Sequence, residues 1–517
     1  MATASRRGTL LALGAASLLG VGLLWWTTSD GVGVSADSVT YIGVARSLAS
    51  GGGPSIPFLH VPLTIFPPLY PAALAPGALL GIDLTAWARG LNLGCFAATV
   101  ALSGALAWRA TGGSAVASVA VAGVAALAPA MLEVHSWAWS EPLFIALCLA
   151  ALLLTGRYVA EGRRRSLMGA AVLATLTALT RYAGLALVAT VAVAPMLGET
   201  RPLARRLRDA SIALVVGGSL PAAWLVRNAL VTGRAAAKPL GLHPPPVADL
   251  ASAADVLTMW FLPARFPVAV RAILLAVVIL GILVAVRSSP DRSRPRVPHP
   301  AHRSPGAVAA VLAVWVCLYL AFLLANLTFV DAATPMDARI LSPLLVPVLV
   351  LLASAVRSGV AVLRRRPSTA GTASGTVVAV AAVMFLALSL ARGVGYGLAR
   401  SHPRGLLQQS WTTSPLIDAV AALPRGTPLW SNDVHAVYFL AGRTVRPLPV
   451  PFDPHLDRPN ADYRDRVGRL VREVSRRNGA VILFQVGEPL RPSASDLVAA
   501  GLRVRTRVAD GQILGPP

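Results

Sequence analysis

The sequence predicts an all-α polytopic membrane protein of about eleven transmembrane helices, followed by a small C-terminal α/β extracytoplasmic domain. Three observations predict it: the apolar fraction, the spacing of the apolar runs, and the arginines between them. Hydrophobic residues make up 55% of the 517, and charged residues only 13%. That charge content is about half of what an ordinary soluble domain carries. With a mean hydropathy of +0.65 the chain has too much apolar surface for a water-soluble core, and lipid is its natural solvent. The formal net charge of +23 does not indicate nucleic acid, because the arginines lie between apolar runs rather than along one face. Lys238 is the only lysine.

The first apolar run, residues 8–26, follows Arg6 and Arg7 and ends on Trp25 and Trp26. A cleaved signal peptide is the rival reading, with Val34-Ser35-Ala36 resembling a cleavage site. The length of the run and the tryptophan pair favour an uncleaved span with its N-terminus in the cytoplasm. Further runs lie near 86–108, 114–131, 142–156, 167–180, 183–198, 210–230, 268–286, 307–326, 340–356 and 375–395. Alternating from an inner N-terminus puts Arg163-Arg164-Arg165, Arg205, Arg206, Arg208, the arginines of a Pro-rich loop at 290–305, and Arg364-Arg365-Arg366 inside. The outer connections receive fewer than half as many, as the positive-inside rule requires.

The tail then emerges outside. The expected division is a membrane domain over 1–395, with a first extracytoplasmic loop at 27–85, and an extracytoplasmic domain over 396–517. In that tail, 427–431 and 480–485 read as strands and 461–477 as an amphipathic helix. Residues 290–305 read as a flexible inner loop. Cys95, Cys148 and Cys317 all fall in apolar runs, so no structural disulfide or cysteine metal site is expected. The localisation implied is a plasma (inner) membrane, crossed many times.

The loop at 27–85 is long for a connection between spans, and such loops are often functional. Asp37 stands near the start of a stretch, Val39 to Gly51, that reads as an amphipathic helix lying at the membrane interface and ended by glycines. Asp37 reads equally as a helix cap. Farther on come His60 and Phe66-Pro67-Pro68-Leu69-Tyr70-Pro71, whose prolines fix an extended approach to the next helix. Glu133, His135 and Glu141 follow the third run and offer two carboxylates and an imidazole to a metal or a sugar; Ser140-Glu141-Pro142 also reads as a helix cap with an acidic first turn. Arg181-Tyr182, Arg227-Asn228, Lys238 and Arg339 gather cations and polar groups at the same face. Arginine binds phosphate through bidentate hydrogen bonds, and snorkelling to ordinary headgroups is the rival reading. Asn432-Asp433-Val434-His435 follows an expected strand, where a cap explains Asp433 as well. No Walker-type phosphate loop, nucleophile elbow or His-Glu-x-x-His helix is present, so no ATP-driven pump is indicated.

Asp37-Ser38-Val39-Thr40-Tyr41, Ala45-Arg46-Ser47-Leu48-Ala49-Ser50-Gly51 and Pro67-Pro68-Leu69-Tyr70-Pro71 together resemble the first periplasmic loop of GT-C glycosyltransferases. The nearest branch contains protein O-mannosyltransferases, the lipid A aminoarabinose transferase and rhizobial lipopolysaccharide glycosyltransferases. Ser140-Glu141-Pro142-Leu143-Phe144, Thr180-Arg181-Tyr182-Ala183-Gly184, Arg227-Asn228 before Thr232-Gly233, and Arg339-Ile340-Leu341-Ser342-Pro343 are similar to that branch in order and topology, over about residues 8–395.

The resemblance implies a GT-C-like fold and transfer of a hexosyl or pentosyl group from a polyprenyl-phosphate-linked donor. The acceptor would be a cell-envelope glycan, lipid or protein outside the cytoplasm. Asp37 would be the general base of an inverting displacement. Tyr41, His60, Tyr70, Glu141, Arg181, Arg227, Asn228, Lys238 and Arg339 would bind substrate, with Arg181, Arg227 and Arg339 balancing the leaving phosphate. Many members carry two adjacent acidic residues where this chain has Asp37-Ser38. That departure leaves open whether Glu141 supplies a second carboxylate and whether a divalent cation takes part; no other cofactor is implied. A flippase for a lipid-linked saccharide and a non-catalytic assembly protein are the alternatives, and the first would predict paired repeats.

Overall fold

The computed structural model describes residues 2–197, 201–235, 238–287, 305–363, 370–400, 402–485 and 492–517. Residues 290–304 of the expected inner loop, and Arg364, Arg365 and Arg366, lie outside the described residues.

The membrane part contains α1 (Ala2–Thr27), α2 (Ala36–Ala49), α3 (Leu69–Leu79), α4 (Leu84–Ala110), α5 (Ala115–Leu127), α6 (Pro129–His135), α7 (Glu141–Glu161), α8 (Arg164–Thr180), α9 (Leu185–Val193), α10 (Leu203–Thr232), α11 (Val247–Met259), α12 (Val268–Arg287), α13 (Pro305–Phe329), α14 (Ala338–Leu341), α15 (Leu345–Leu363) and α16 (Ala370–Arg400). Eight of the eleven apolar runs fall within single helices, while those at 114–131, 183–198 and 340–356 are divided between successive helical segments. Among the described residues, 7 helices are long and apolar enough to cross a membrane, or 8 if the pair α5 and α6, bent by 55°, is one span. Pro129 at the start of α6 explains the bend, since it supplies no N–H to continue the ladder. The runs at 167–180, 183–198 and 268–286 lie in shorter helices.

Leu214, Val215, Leu220 and Leu230 on α10, and Ile273, Val277 and Leu280 on α12, point outward. Such helices are apolar on every side, which water would penalise and lipid does not. At the end of the bundle away from α2, Glu161 takes Arg109 at 3.4 Å and Arg163 at 3.2 Å, while Tyr158 donates to Asp209 at 2.8 Å. These charges pair with one another at the edge of the apolar zone.

After α16 the chain forms a mixed five-stranded sheet. Its strands are β3 (Leu429–Ser431), β4 (Arg446–Pro447), β7 (Ala480–Phe484), β8 (Arg503–Val508) and β9 (Gly511–Gly515), in the order β4-β3-β7-β9-β8. Two small antiparallel pairs stand apart: β1 (Ser55–Ile56) with β2 (Val61–Pro62), and β5 (Phe452–Asp453) with β6 (Arg458–Pro459). The helices are α17 (Gln409–Thr412), α18 (Pro415–Ala421), α19 (Val434–Ala441), α20 (Tyr463–Arg476) and α21 (Ala494–Ala499). The expected strands and amphipathic helix are therefore present as β3, β7 and α20.

Strand β7 is buried along its whole length, and its side chains alternate between two cores. Val481 and Leu483 meet Val467, Leu470, Val471 and Val474 of α20 on one face. Ala480, Ile482 and Phe484 meet α18, α19 and the α2 residues Val39 and Val44 on the other. Helix α2 is buried on both sides, which corrects the reading of its sequence pattern as amphipathic. Its other side, through Tyr41, Ile42 and Ala45, packs on α3 and α4. Val39, Ile42 and Val44 have no exposed surface, and burial of each contributes about 1.5–3 kcal/mol. The tail thus covers the helix that an isolated loop would have left in contact with water.

Candidate active site

The site begins with how α2 starts. Ser35 caps the helix by accepting from the Ser38 backbone N–H, and Ser38 Oγ accepts from Ser35 N–H at 3.0 Å. The capping box is built by serines, so the alternative that Asp37 is the cap does not hold. Its carboxylate is free of the cap, and Arg339 Nη2 pairs with Asp37 Oδ2 at 2.8 Å.

Arg339 enters from α14, capped by Asp337, whose side chain accepts from Ile340 N–H. Its Nε also donates to Glu141 Oε1. Glu141 opens α7, 1% exposed, and the same Oε1 takes Arg181 Nη1 at 2.6 Å. Glu141 Oε2 is buried without a hydrogen-bond partner. Arg181 donates further to Ser140 Oγ at 3.0 Å, and Tyr41 OH lies 3.2 Å from the same oxygen. Burial, with the Asp37 carboxylate beside it, pushes the Tyr41 hydroxyl far above its usual range, so it stays a neutral hydrogen-bonding group. Tyr70 stacks edge-on against Tyr41 at 4.9 Å, its hydroxyl buried and without a partner.

Two carboxylates and two guanidiniums therefore meet at the ends of α2, α7, α8 and α14. The set is formally neutral. Arg181 and Arg339, 20% and 19% exposed, retain N–H donors for an anion. A largely apolar cavity of about 220 Å³ is lined by Ala338, the residue before Arg339, and by Leu345 and Trp260, with Glu133, Arg392 and Tyr396 among its polar groups.

Other residues singled out in the sequence serve the frame around this centre. Arg227 donates to the carbonyls of Leu63 at 2.6 Å and Pro54 at 3.4 Å, and lies over the Trp224 ring. Asn228 and Trp224 donate to Tyr182 OH, which in turn donates to Thr64 O at 2.9 Å. These groups hold the loop that leads into α3, on which Tyr70 stands. His60 is exposed at the turn between β1 and β2, with φ of 55°. Lys238 pairs with Asp331, and His455 Nδ1 lies 2.8 Å from Asp331, joining the tail to the connections after α10 and α13. Burial raises the Asp331 carboxyl, but hydrogen bonds from His455 and Lys238 outweigh it and hold the group well below its usual range.

The expected cluster of Glu133, His135 and Glu141 does not converge. His135 faces back into α6, its Nδ1 2.7 Å from Met131 O. Glu133 binds Trp137 Nε1 at 2.8 Å, Tyr396 OH and Arg404. Among the described residues, no three His, Cys, Asp or Glu side chains are arranged to hold a metal. Asp37 and Glu141 are both committed to guanidiniums, so this donor set does not fit a divalent ion.

Sequence reasoning missed Trp137, Trp139 and Arg404. The alternation Trp137-Ala138-Trp139 was the available signal, since a spacing of two puts both indoles on one side of an extended segment. His435, noted only weakly, lies on α19 against α2, 5.6 Å from the Phe58 ring. Burial holds its imidazole below the usual value, with Asp433 and Asp37 pulling the other way.

The fold is similar to that of solved structures of ArnT and of the archaeal oligosaccharyltransferase AglB. The apo structure of ArnT from Cupriavidus metallidurans matches with a TM-score of 0.60 and 14% identity over 98% of each chain. The same protein bound to undecaprenyl phosphate matches at 0.57 and 14% identity, again over 98% of each chain. The archaeal oligosaccharyltransferase AglB from Archaeoglobus fulgidus, in complex with an inhibitory peptide and a dolichol-phosphate, matches at 0.57 and 13% identity, over 98% of this chain and 74% of that one. No family model and no curated protein sequence matches the chain.

Proposed function

We propose that this chain is a membrane glycosyltransferase that moves a sugar from a polyprenyl-phosphate donor to an extracytoplasmic acceptor. The observation that carries the reading is the Asp37–Arg339–Glu141–Arg181 network, with an apolar cavity reached through Ala338, the neighbour of Arg339. Support comes from the fold shared with structures that hold undecaprenyl phosphate and dolichol-phosphate. The reading places eleven helix passages in a plasma membrane, the N-terminus in the cytoplasm, and residues 396–517 outside as a domain that closes over α2.

In the mechanism, the Asp37 carboxylate accepts the proton of the acceptor hydroxyl as its oxygen attacks the anomeric carbon. The bond from that carbon to the phosphate oxygen breaks, and the electron pair leaves with the phosphate. One in-line displacement inverts the anomeric centre. Arg181 and Arg339 offset the charge that develops on the leaving group. Glu141, buried between them, keeps both guanidiniums in place before the donor arrives. The cavity next to Arg339 takes the first isoprene units of the carrier. No step is routed through a divalent ion.

The test is transfer by the purified full chain in lipid nanodiscs, with a panel of polyprenyl-phosphate-linked pentoses and hexoses. Asp37→Asn is expected to lower turnover by about 10²–10⁴-fold, the range of one general base, without loss of fold. Full activity of Asp37→Asn would remove it as the base.

A further inference from the structure

We infer that Arg404, on the segment that follows the last membrane helix, is a positioning residue for Arg339 and acts through the indole pair Trp137–Trp139. The inference rests on the transferase reading for its functional consequence.

The guanidinium of Arg339 lies 4.1 Å from the centroid of Trp139. Trp139 stacks on Trp137 with centroids 4.8 Å apart and planes 6° from parallel. Arg404 lies 5.3 Å from the centroid of Trp137. A guanidinium thus sits over each ring of a stacked indole pair, and each is drawn to the negative face of its ring. The edges of the pair are also fixed. Trp139 Nε1 donates to Ser35 Oγ at 2.8 Å, the cap of the helix that bears Asp37. Trp137 Nε1 donates to Glu133 Oε1 at 2.8 Å. Arg404 is 6% exposed; its Nη1 donates to Tyr396 OH at 2.7 Å and to Glu133 Oε2 at 3.3 Å, and its Nη2 to Ser136 O at 3.1 Å.

The backbone keeps this arrangement in register. Gly33 N–H donates to Ser136 O and Ala138 N–H to Gly33 O, while Leu406 N–H donates to Val34 O. Gly405 has φ of +63°, and a Cβ there would lie 2.0 Å from Val34 O and 2.9 Å from Trp137. The seam therefore requires glycine next to Arg404.

Arg339 has two demands on it, since Nε and Nη2 address different carboxylates. A long flexible side chain meets both only if the plane of its guanidinium is set. Trp139 sets that plane, Trp137 backs Trp139, and Arg404 clamps Trp137. The start of the tail is in this way part of the machinery that aims the cation at the phosphate.

The test uses the full chain in nanodiscs with undecaprenyl phosphate as probe, and reads affinity and melting temperature together. Arg404→Lys keeps the charge but loses the planar face. It is expected to weaken binding by about tenfold, the equivalent of one desolvated cation–π contact, and to lower the melting temperature, because buried hydrogen bonds to Tyr396, Glu133 and Ser136 are lost. Trp137→Leu should weaken binding similarly, and Trp137→Phe should recover most of it by restoring a ring face. Arg404→Lys combined with Arg339→Lys should lose less affinity, and less melting temperature, than the sum of the two single changes, because the two act as one unit. Additive losses in the combined variant overturn the inference, as does unchanged affinity in both Arg404→Lys and Trp137→Leu. If the parent chain does not bind the probe, the transferase reading fails. Non-additive melting temperatures then still establish the link from Arg404 to Arg339, and additive ones refute it.

Discussion

Replacing Glu141 by Gln separates what the buried carboxylate does for the fold from what Asp37 does for the reaction. Glu141 is 1% exposed and its Oε1 receives both Arg181 and Arg339. Removing one partner of a buried ion pair costs about 3–5 kcal/mol. Arg181 and Arg339 keep 20% and 19% of their side-chain surface in contact with solvent. They recover part of their hydration, so the lower end, about 3 kcal/mol, is expected. A further contribution comes from the new amide, whose N–H₂ replaces Oε2 where no partner stands; an unsatisfied buried donor costs about 1–3 kcal/mol. Asp37→Asn is the control. Its pair with Arg339 is 32% exposed on the Asp side, and pairs that open to water contribute about 0–1 kcal/mol. The assay is unfolding in a mild detergent, followed by heat and by denaturant. Glu141→Gln should be clearly less stable than the parent, and Asp37→Asn nearly equal to it. Equal stability of Glu141→Gln and the parent would refute the idea that this carboxylate neutralises a buried pair of cations.

The remaining predictions concern the frame. Asp331 is held below its usual range in the fold, so the native state binds fewer protons there than the unfolded chain. Its stabilising contribution is full above the unfolded value of about 4 and is lost as the pH falls further; the difference in melting temperature between the parent and Asp331→Asn should therefore be constant from pH 7 to about 5 and shrink below pH 4. Gly405→Ala forces a Cβ against Val34 O at a positive φ, and should lower the melting temperature more than Gly426→Ala, where a Cβ meets nothing within 4 Å. Arg227→Ala releases the carbonyls of Leu63 and Pro54, and should speed limited proteolysis within residues 50–66, whereas unchanged cleavage would mean that the loop is held from elsewhere.

Apolar runs were legible because a membrane helix must satisfy its own backbone and present apolar side chains to lipid; their breaks at 128, 184 and 342–344 were not. Asp37, Glu141, Arg181 and Arg339 were singled out too, from the long first loop, a polar turn, the gathering of cations at one face and the family resemblance. Their partners were not. Asp37 and Arg339 are separated by most of the membrane part, and nothing in local spacing says that α14 reaches α2. The reading of α2 as amphipathic failed for the same reason, since the sheet that covers it is assembled from residues after 402. Arg227 and Asn228 carried the expected polarity, but only the fold turned them toward loop carbonyls.

What the sequence by itself determined is the solvent of each segment, because burial in lipid or water follows from side-chain chemistry within a few turns of helix. The convergence of two carboxylates and two guanidiniums, and the stack that runs from Arg339 to Arg404, were decided only by the tertiary structure. Such contacts join residues hundreds of positions apart, and their geometry depends on how every intervening helix packs.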